Sequence, residues 1–204
     1  MARLYLFDFD GVLVDSLSLY EAAVSECLRA LGRPPLASRE EFEEIFADNF
    51  YEGIRKKGVD VEAFLAASQT LAPSLDYNQV RPVDGIGPVL EKLSRQHTLL
   101  VVSSNAAAVI RGILARQGLE RLFTDIWGLE FMLSKVGKIR AAMTRFGTDT
   151  GDTFYIGDTT GDIDEARQSG VRTVAVTWGL HSRERLVAAG ADIIIDTPAE
   201  IPLL

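Results

Sequence analysis

Asp8 and Asp10 stand two residues apart, where the apolar run Leu4-Tyr5-Leu6-Phe7 gives way to Gly11. Two carboxylates this close repel one another unless a cation lies between them or one keeps a proton. Two more apolar runs end in comparable chemistry. Thr98-Leu99-Leu100-Val101-Val102 delivers Ser103-Ser104-Asn105, and Thr153-Phe154-Tyr155-Ile156 delivers Gly157-Asp158-Thr159-Thr160-Gly161-Asp162. Gathered at one crevice, these acids and hydroxyls form an oxygen-rich site suited to a hard divalent ion such as Mg2+. Asp158 and Asp162 are four apart across a strand-to-helix turn, so both can face one ion, directly or through water. Asp162 has an equally good reading as a helix-capping acid. So negative a site needs a cation to hold a phosphorylated substrate, and Lys135 or Lys138, ahead of the Asp158 strand, supplies one.

The clusters meet only if their strands run parallel, because ligands of open α/β sheets bind beyond the carboxyl ends of the strands. The intervening pattern predicts such a sheet. Leu17, Tyr20, Ala23, Val24, Cys27, Leu28 and Leu31 recur at helical spacing up to Gly32, with Asp15 or Ser16 as the cap. Further helices are expected from Ser38 over 39–50, then over 50–57 and 61–75, with no strand between 16 and 80. Glu40, Glu41, Glu43 and Glu44 suit the start of a helix and read as a solvated face. From Gly85 helices over 86–96, 106–117, 134–146, 163–169 and 182–189 alternate with strands over 98–102, 123–127, 153–156, 173–176 and 192–195. That rhythm predicts an α/β fold, a parallel sheet covered by helices on both faces. Residues 1–15 and 81–204 form the core with the site, and 16–80 form an inserted helical unit.

Composition excludes several classes of function. The formal net charge of −8 is wrong for a nucleic-acid partner. An anionic substrate must be drawn by a local site against the global charge. The single cysteine, Cys27, precludes an internal disulfide and fits a reducing compartment. No apolar run reaches membrane-spanning length, and the amino terminus reads as a strand rather than a leader. The expectation is a cytoplasmic protein, monomer or homodimer, acting on a small molecule and on neither nucleic acid nor membrane.

Asp8-Phe9-Asp10-Gly11-Val12-Leu13 resembles the first motif, DxDGxL, of the haloacid-dehalogenase-like hydrolase superfamily. Val102-Ser103-Ser104-Asn105 resembles its second motif, Lys135 its third, and Gly157 to Asp162 its fourth, GDxxxD. The stretch from Ser103 to Phe123 and the tail from Thr177-Trp178-Gly179-Leu180 onward are similar to the phosphoglycolate-phosphatase-like branch. The resemblance implies a Rossmann-like core, a small helical cap at 16–80, and a Mg2+-dependent phosphatase. Asp8 would take the phosphoryl group as an aspartyl-phosphate, and Asp10 would serve as general acid and base. Mg2+ would be held by Asp8, Asp10 through its backbone carbonyl, Asp158 and, in support, Asp162. Ser103, with Ser104 and Asn105 beside it, and Lys135 would hold the phosphate; the proline that usually follows this lysine is absent.

Other readings stay open at this stage. A phosphosugar mutase needs a cap that holds a sugar in two orientations, and a phosphonate hydrolase needs a cap lysine in the site. A non-catalytic binding or regulatory protein that keeps the fold is the reading from a different class. Arg55, Lys56 and Lys57 are the insert's candidates for meeting an anionic leaving group, with solvent exposure as the plainer role.

Overall fold

The computed structural model describes residues 2–203. Its centre is strand β1 (Leu4–Phe7), buried along its whole length. Tyr5 and Phe7 point to one face of the sheet, and Leu4 and Leu6 to the other. Because both faces are covered, the strand is apolar throughout rather than alternating.

From β1 the chain passes through β2 (Val14–Asp15) into α1 (Leu17–Ala30), α2 (Arg39–Ile45), α3 (Phe50–Lys56) and α4 (Val61–Leu71). These helices pack on one another through Val24, Cys27, Phe42, Ile45, Ile54 and Phe64, with Leu180 from the other side of the molecule. β3 (Arg81–Pro82) brings the chain back antiparallel to β2, Val14 opposite Pro82 and Asp15 opposite Arg81. This ribbon is the neck between the helices and the sheet.

The remainder alternates as expected: α5 (Ile86–Ser94), β4 (Thr98–Val102), α6 (Ala107–Arg116), β5 (Asp125–Trp127), α7 (Lys135–Phe146), β6 (Thr153–Gly157), α8 (Thr160–Ser169), β7 (Arg172–Val176), α9 (Arg183–Ala188) and β8 (Ile193–Ile195). Six strands form one parallel sheet in the order β5-β4-β1-β6-β7-β8. α5 and α6 cover the Tyr5 and Phe7 face, and α7 and α8 the opposite one. Each large side chain so buried contributes roughly 1.5–3 kcal/mol. The chain steps outward from β1 to β5, then returns to the other side of β1 for β6. Such a reversal opens a crevice at the carboxyl ends of the strands involved. β4, β1 and β6 are the strands that deliver the polar clusters.

Boundaries moved where local chemistry decided them. α4 ends at Leu71, short of residue 75, because Pro73 tightens the chain into a 3-10 turn. α8 starts at Thr160 rather than 163, since Thr159 caps it. β5 loses the expected residues 123 and 124 and begins at Asp125. Ser16 occupies the cap position of α1 but makes no capping bond. Among the described residues, no helix is long and apolar enough to cross a membrane.

Candidate active site

Eight of the residues singled out by the sequence line one cavity between the sheet's carboxyl rim and the helical insert: Asp8, Asp10, Ser103, Ser104, Asn105, Lys135, Asp158 and Asp162. Asp8 leaves β1 with its N–H bonded to the Ile156 carbonyl at 2.9 Å. Its Oδ1 accepts the Phe9 N–H at 2.8 Å, and its Oδ2 accepts Lys135 Nζ at 2.9 Å. Asp10 turns the other way. Ser16 Oγ donates to its Oδ1 at 2.6 Å and Asn105 Nδ2 to its Oδ2 at 3.2 Å. Burial raises the Asp10 pKa to about 7 against the lowering pull of Ser16, with the Asp8 charge adding to the rise.

Asp162 is saturated with donors. Lys135 Nζ (2.5 Å) and the Tyr155 hydroxyl (3.1 Å) reach Oδ1. The Asp158 and Thr159 N–H groups (3.3 and 3.2 Å) and Thr159 Oγ1 (2.7 Å) reach Oδ2. With Thr159 it forms a capping box at the head of α8, so the capping role is the one its bonds fulfil. Burial opposes its charge, but Lys135 and the other donors hold its pKa below the ordinary carboxylate value.

Asp158 differs. Its Oδ2 accepts the Leu180 N–H at 2.7 Å, while its Oδ1 is buried with no partner. Burial and the charges of Asp162 and Asp8 push its pKa well up. Burial likewise raises that of Asp8, although Lys135 pulls the other way. The backbone crowds this side chain: a Cβ at Gly11, where φ is +76°, or at Gly179 would collide with the Asp158 carboxylate.

Lys135 opens α7, and its N–H donates to Glu165 Oε1 at 2.9 Å. Burial works against its ammonium, but Asp162 and Asp8 outweigh it and hold the pKa well above the ordinary lysine value. Ligand atoms of Asp8, Asp158 and Asp162 lie within 4.8 Å of one another, all buried. Three carboxylates against the Lys135 charge leave an excess of two negative charges if all ionise. The unpartnered Asp158 Oδ1, the all-oxygen donor set and that excess charge fit a hard divalent cation.

Ser103 Oγ accepts the Asn105 N–H at 3.2 Å, and the Ser104 carbonyl accepts the Tyr51 hydroxyl at 2.7 Å. Asn105, expected beside the phosphate, spends its amide on Asp10 and on the Tyr20 hydroxyl, and its Oδ1 on the Ala106 N–H at 2.7 Å. Lys138 lies one turn behind Lys135, fully buried, and donates to the Ser103 carbonyl. It supports the loop after β4 from beneath and does not line the cavity.

Burial and the nearby Lys135 lower the Lys138 pKa to about 7. Unfolded, it titrates near the ordinary ~10.4, so between these limits the unfolded chain binds more protons and folding stability rises with pH. Denaturant unfolding from pH 7 to 10 should show this rise in the wild type and lose it in Lys138→Met. Curves that stay parallel would remove the assignment.

Several participants escaped the sequence reading. Ser16 was expected as a helix cap, yet its hydroxyl serves Asp10, because β2 folds the chain back over the first loop. Tyr155 looked like strand filling and instead supports Asp162. His181 had no assigned role. Its Nδ1 accepts the Thr160 N–H at 2.9 Å, so Nε2 carries the proton and donates to the Glu43 carbonyl of α2 at 3.0 Å. Gly161 N–H to the Phe46 carbonyl and Thr160 Oγ1 to the Ala47 carbonyl, both 3.1 Å, complete a seam between α8 and the insert.

A parallel sheet with acids on its carboxyl rim and a helical insert over them defines a class. The model of the haloacid dehalogenase-like hydrolases matches residues 5–176, and the chain belongs to that family. It is 32% identical over 201 residues to a phosphoglycolate phosphatase of Synechococcus elongatus, covering 96% of this chain and 93% of the relative. A phosphoglycolate phosphatase of Vibrio parahaemolyticus is 24% identical, with 98% and 94% covered. In fold it is similar to a haloacid dehalogenase-like hydrolase from Streptococcus pneumoniae (TM-score 0.82, 20% identity, 99% and 97% covered).

Proposed function

We propose that this chain is a phosphatase that hydrolyses small phosphorylated metabolites with the help of Mg2+. The observation that carries it is Asp8: a carboxylate at the carboxyl end of the central strand, braced by Lys135 and facing a cavity with Asp10 beside it. An Asp8 oxygen attacks phosphorus as the bond to the leaving oxygen breaks, and Asp10 gives that oxygen its proton. Water then attacks the aspartyl-phosphate, Asp10 takes the proton back, and phosphate and the Asp8 carboxylate are released. Ser16 and Asn105 hold Asp10 for both transfers. Lys135 and Ser103 steady the phosphate oxygens. Asp8, Asp158 and the Asp10 backbone carbonyl would hold Mg2+, with Asp162 in support through Lys135 and the Asp158 and Thr159 N–H groups. The ion supplies neutralisation of the charge shared by Asp8 and the phosphate.

Residues 16–80 act as a cap that excludes water from this chemistry, with 1–15 and 81–204 as the catalytic core. Phosphonate hydrolysis is not supported, because among the described residues no cap lysine lines the cavity. The free, buried Cys27 supports a cytoplasmic location. The protein acts as a monomer or homodimer.

Phosphate release from a panel of phosphomonoesters should require Mg2+. No metal-dependent release by folded protein with any of them would end the phosphatase reading. Independently of turnover, Mg2+ at about a hundred times its Kd should stabilise the wild type by ~2.7 kcal/mol, or about 5–10 °C in Tm. Asp158→Asn should lose most of that shift; a full shift in the variant would put the ion elsewhere.

A further inference from the structure

Resting on the phosphatase reading, we propose that the leaving group is an uncharged, apolar alcohol rather than a hydroxy acid or a sugar. The cavity measures about 190 Å3, space for on the order of a dozen waters and more than a phosphate fills. Above the site its wall is Leu17, Val24, Phe46, Phe50, Phe64 and Leu71. The rings of Phe46, Phe50 and Phe64 form a continuous series, with centroids 5.2 and 5.7 Å apart. Of the hydroxyls along this wall, that of Tyr51 donates to the Ser104 carbonyl and that of Tyr20 accepts the Asn105 amide. Ser68, Gln69 and Tyr77 line it too, with Gln69 exposed and the other two half-buried.

Charge argues the same way. Among the described residues, Lys135 is the only cation lining the cavity, and Asp8 and Asp162 already hold it. Asp48, Glu130 and Glu165 line it as well. Among the cations of α3 and its end, Arg55 pairs with Glu52 and Lys57 with Glu41, while Lys56, largely exposed and outside the lining, is taken up by Asp48. A carboxylate on the leaving group would meet acids and no counter-charge. A sugar would set hydroxyls against phenyl rings, each unpaired hydroxyl weakening binding. An alkyl chain would exchange water for the aromatic wall.

The test is kcat/KM for phosphate release, with Mg2+, from ethyl, butyl and hexyl phosphate, glycerol 3-phosphate and 2-phosphoglycolate. The primary alkyl alcohols are nearly equal as leaving groups, so chain length reports burial rather than reactivity. A rise of roughly threefold per methylene is expected, with 2-phosphoglycolate below ethyl phosphate. Ser68→Arg, which adds a cation to the wall, should lower the hexyl-to-phosphoglycolate ratio about tenfold. A flat series, faster turnover of 2-phosphoglycolate or glycerol 3-phosphate than of hexyl phosphate, or an unchanged ratio in Ser68→Arg would overturn the inference and leave the phosphatase reading standing. No release from any ester by folded protein would overturn that reading and this inference with it.

Discussion

Asp8→Asn is expected to bring phosphate release to background, a fall of roughly four orders of magnitude or more. The amide keeps the size and shape of the side chain but has no anionic oxygen to form a bond to phosphorus. Nothing nearby replaces it. Asp158 is crowded by the Gly11 and Gly179 backbone and gives one oxygen to the Leu180 N–H, Asp162 is saturated with donors, and Asp10 is turned to Ser16 and Asn105. The substitution should leave the fold intact, since Asn Oδ1 still accepts the Phe9 N–H. Circular dichroism and thermal melting check that point, and phosphate release measures the loss. Turnover near the wild-type rate in Asp8→Asn would move the nucleophile to another residue.

Lys135→Met has the second largest effect, and it acts on stability and catalysis together. The ammonium joins Asp8 and Asp162, both buried, and no other cation replaces it in that space among the described residues. Removing one partner of a buried ion pair costs about 3–5 kcal/mol. For a chain of this length that corresponds to a Tm lower by about 6–20 °C. The loss should shrink as the pH falls, because protonated carboxyls no longer need the partner. Activity should fall a hundredfold or more even at temperatures where the variant is folded, since a charged contact to the transferring group is lost. A variant as stable as the wild type would mean that the two carboxylates find another partner on losing this one.

How far the sequence could be read follows from what each feature depends on. The sheet and its rim were legible because β1, β4 and β6 are apolar runs that end abruptly in polar residues, and parallel pairing then forces their ends together. Asp8, Asp158 and Asp162 converge by that rule alone. Lys135 and Lys138 could not be separated from spacing, since three residues apart on a helix they share a face. Packing separates them: one enters the crevice, while the other lies under Ser103. Ser16 illustrates the opposite limit. Its type suited a helix cap, and its actual partner depends on a ribbon of two residues per strand that no periodicity signals. The chemical character of the cap lay equally out of reach, because the aromatic wall is assembled from α1, α3 and α4 and from turns between them.

The seam between α8 and the insert draws mostly on carbonyl oxygens on the insert's side, those of Glu43, Phe46 and Ala47, with one side chain, Asn49, donating to the Glu165 carboxylate. Main-chain acceptors are present whatever side chains the segment carries. Docking and selectivity are therefore written in separate parts of the insert: one in the backbone after α2 and in Asn49, the other in side chains of the helices over the cavity. Substitutions that retune which alcohol is released can accumulate on α1 and α4 without loosening that attachment, and a library confined to those helices would vary the substrate while the phosphoryl-transfer machinery below keeps its shape.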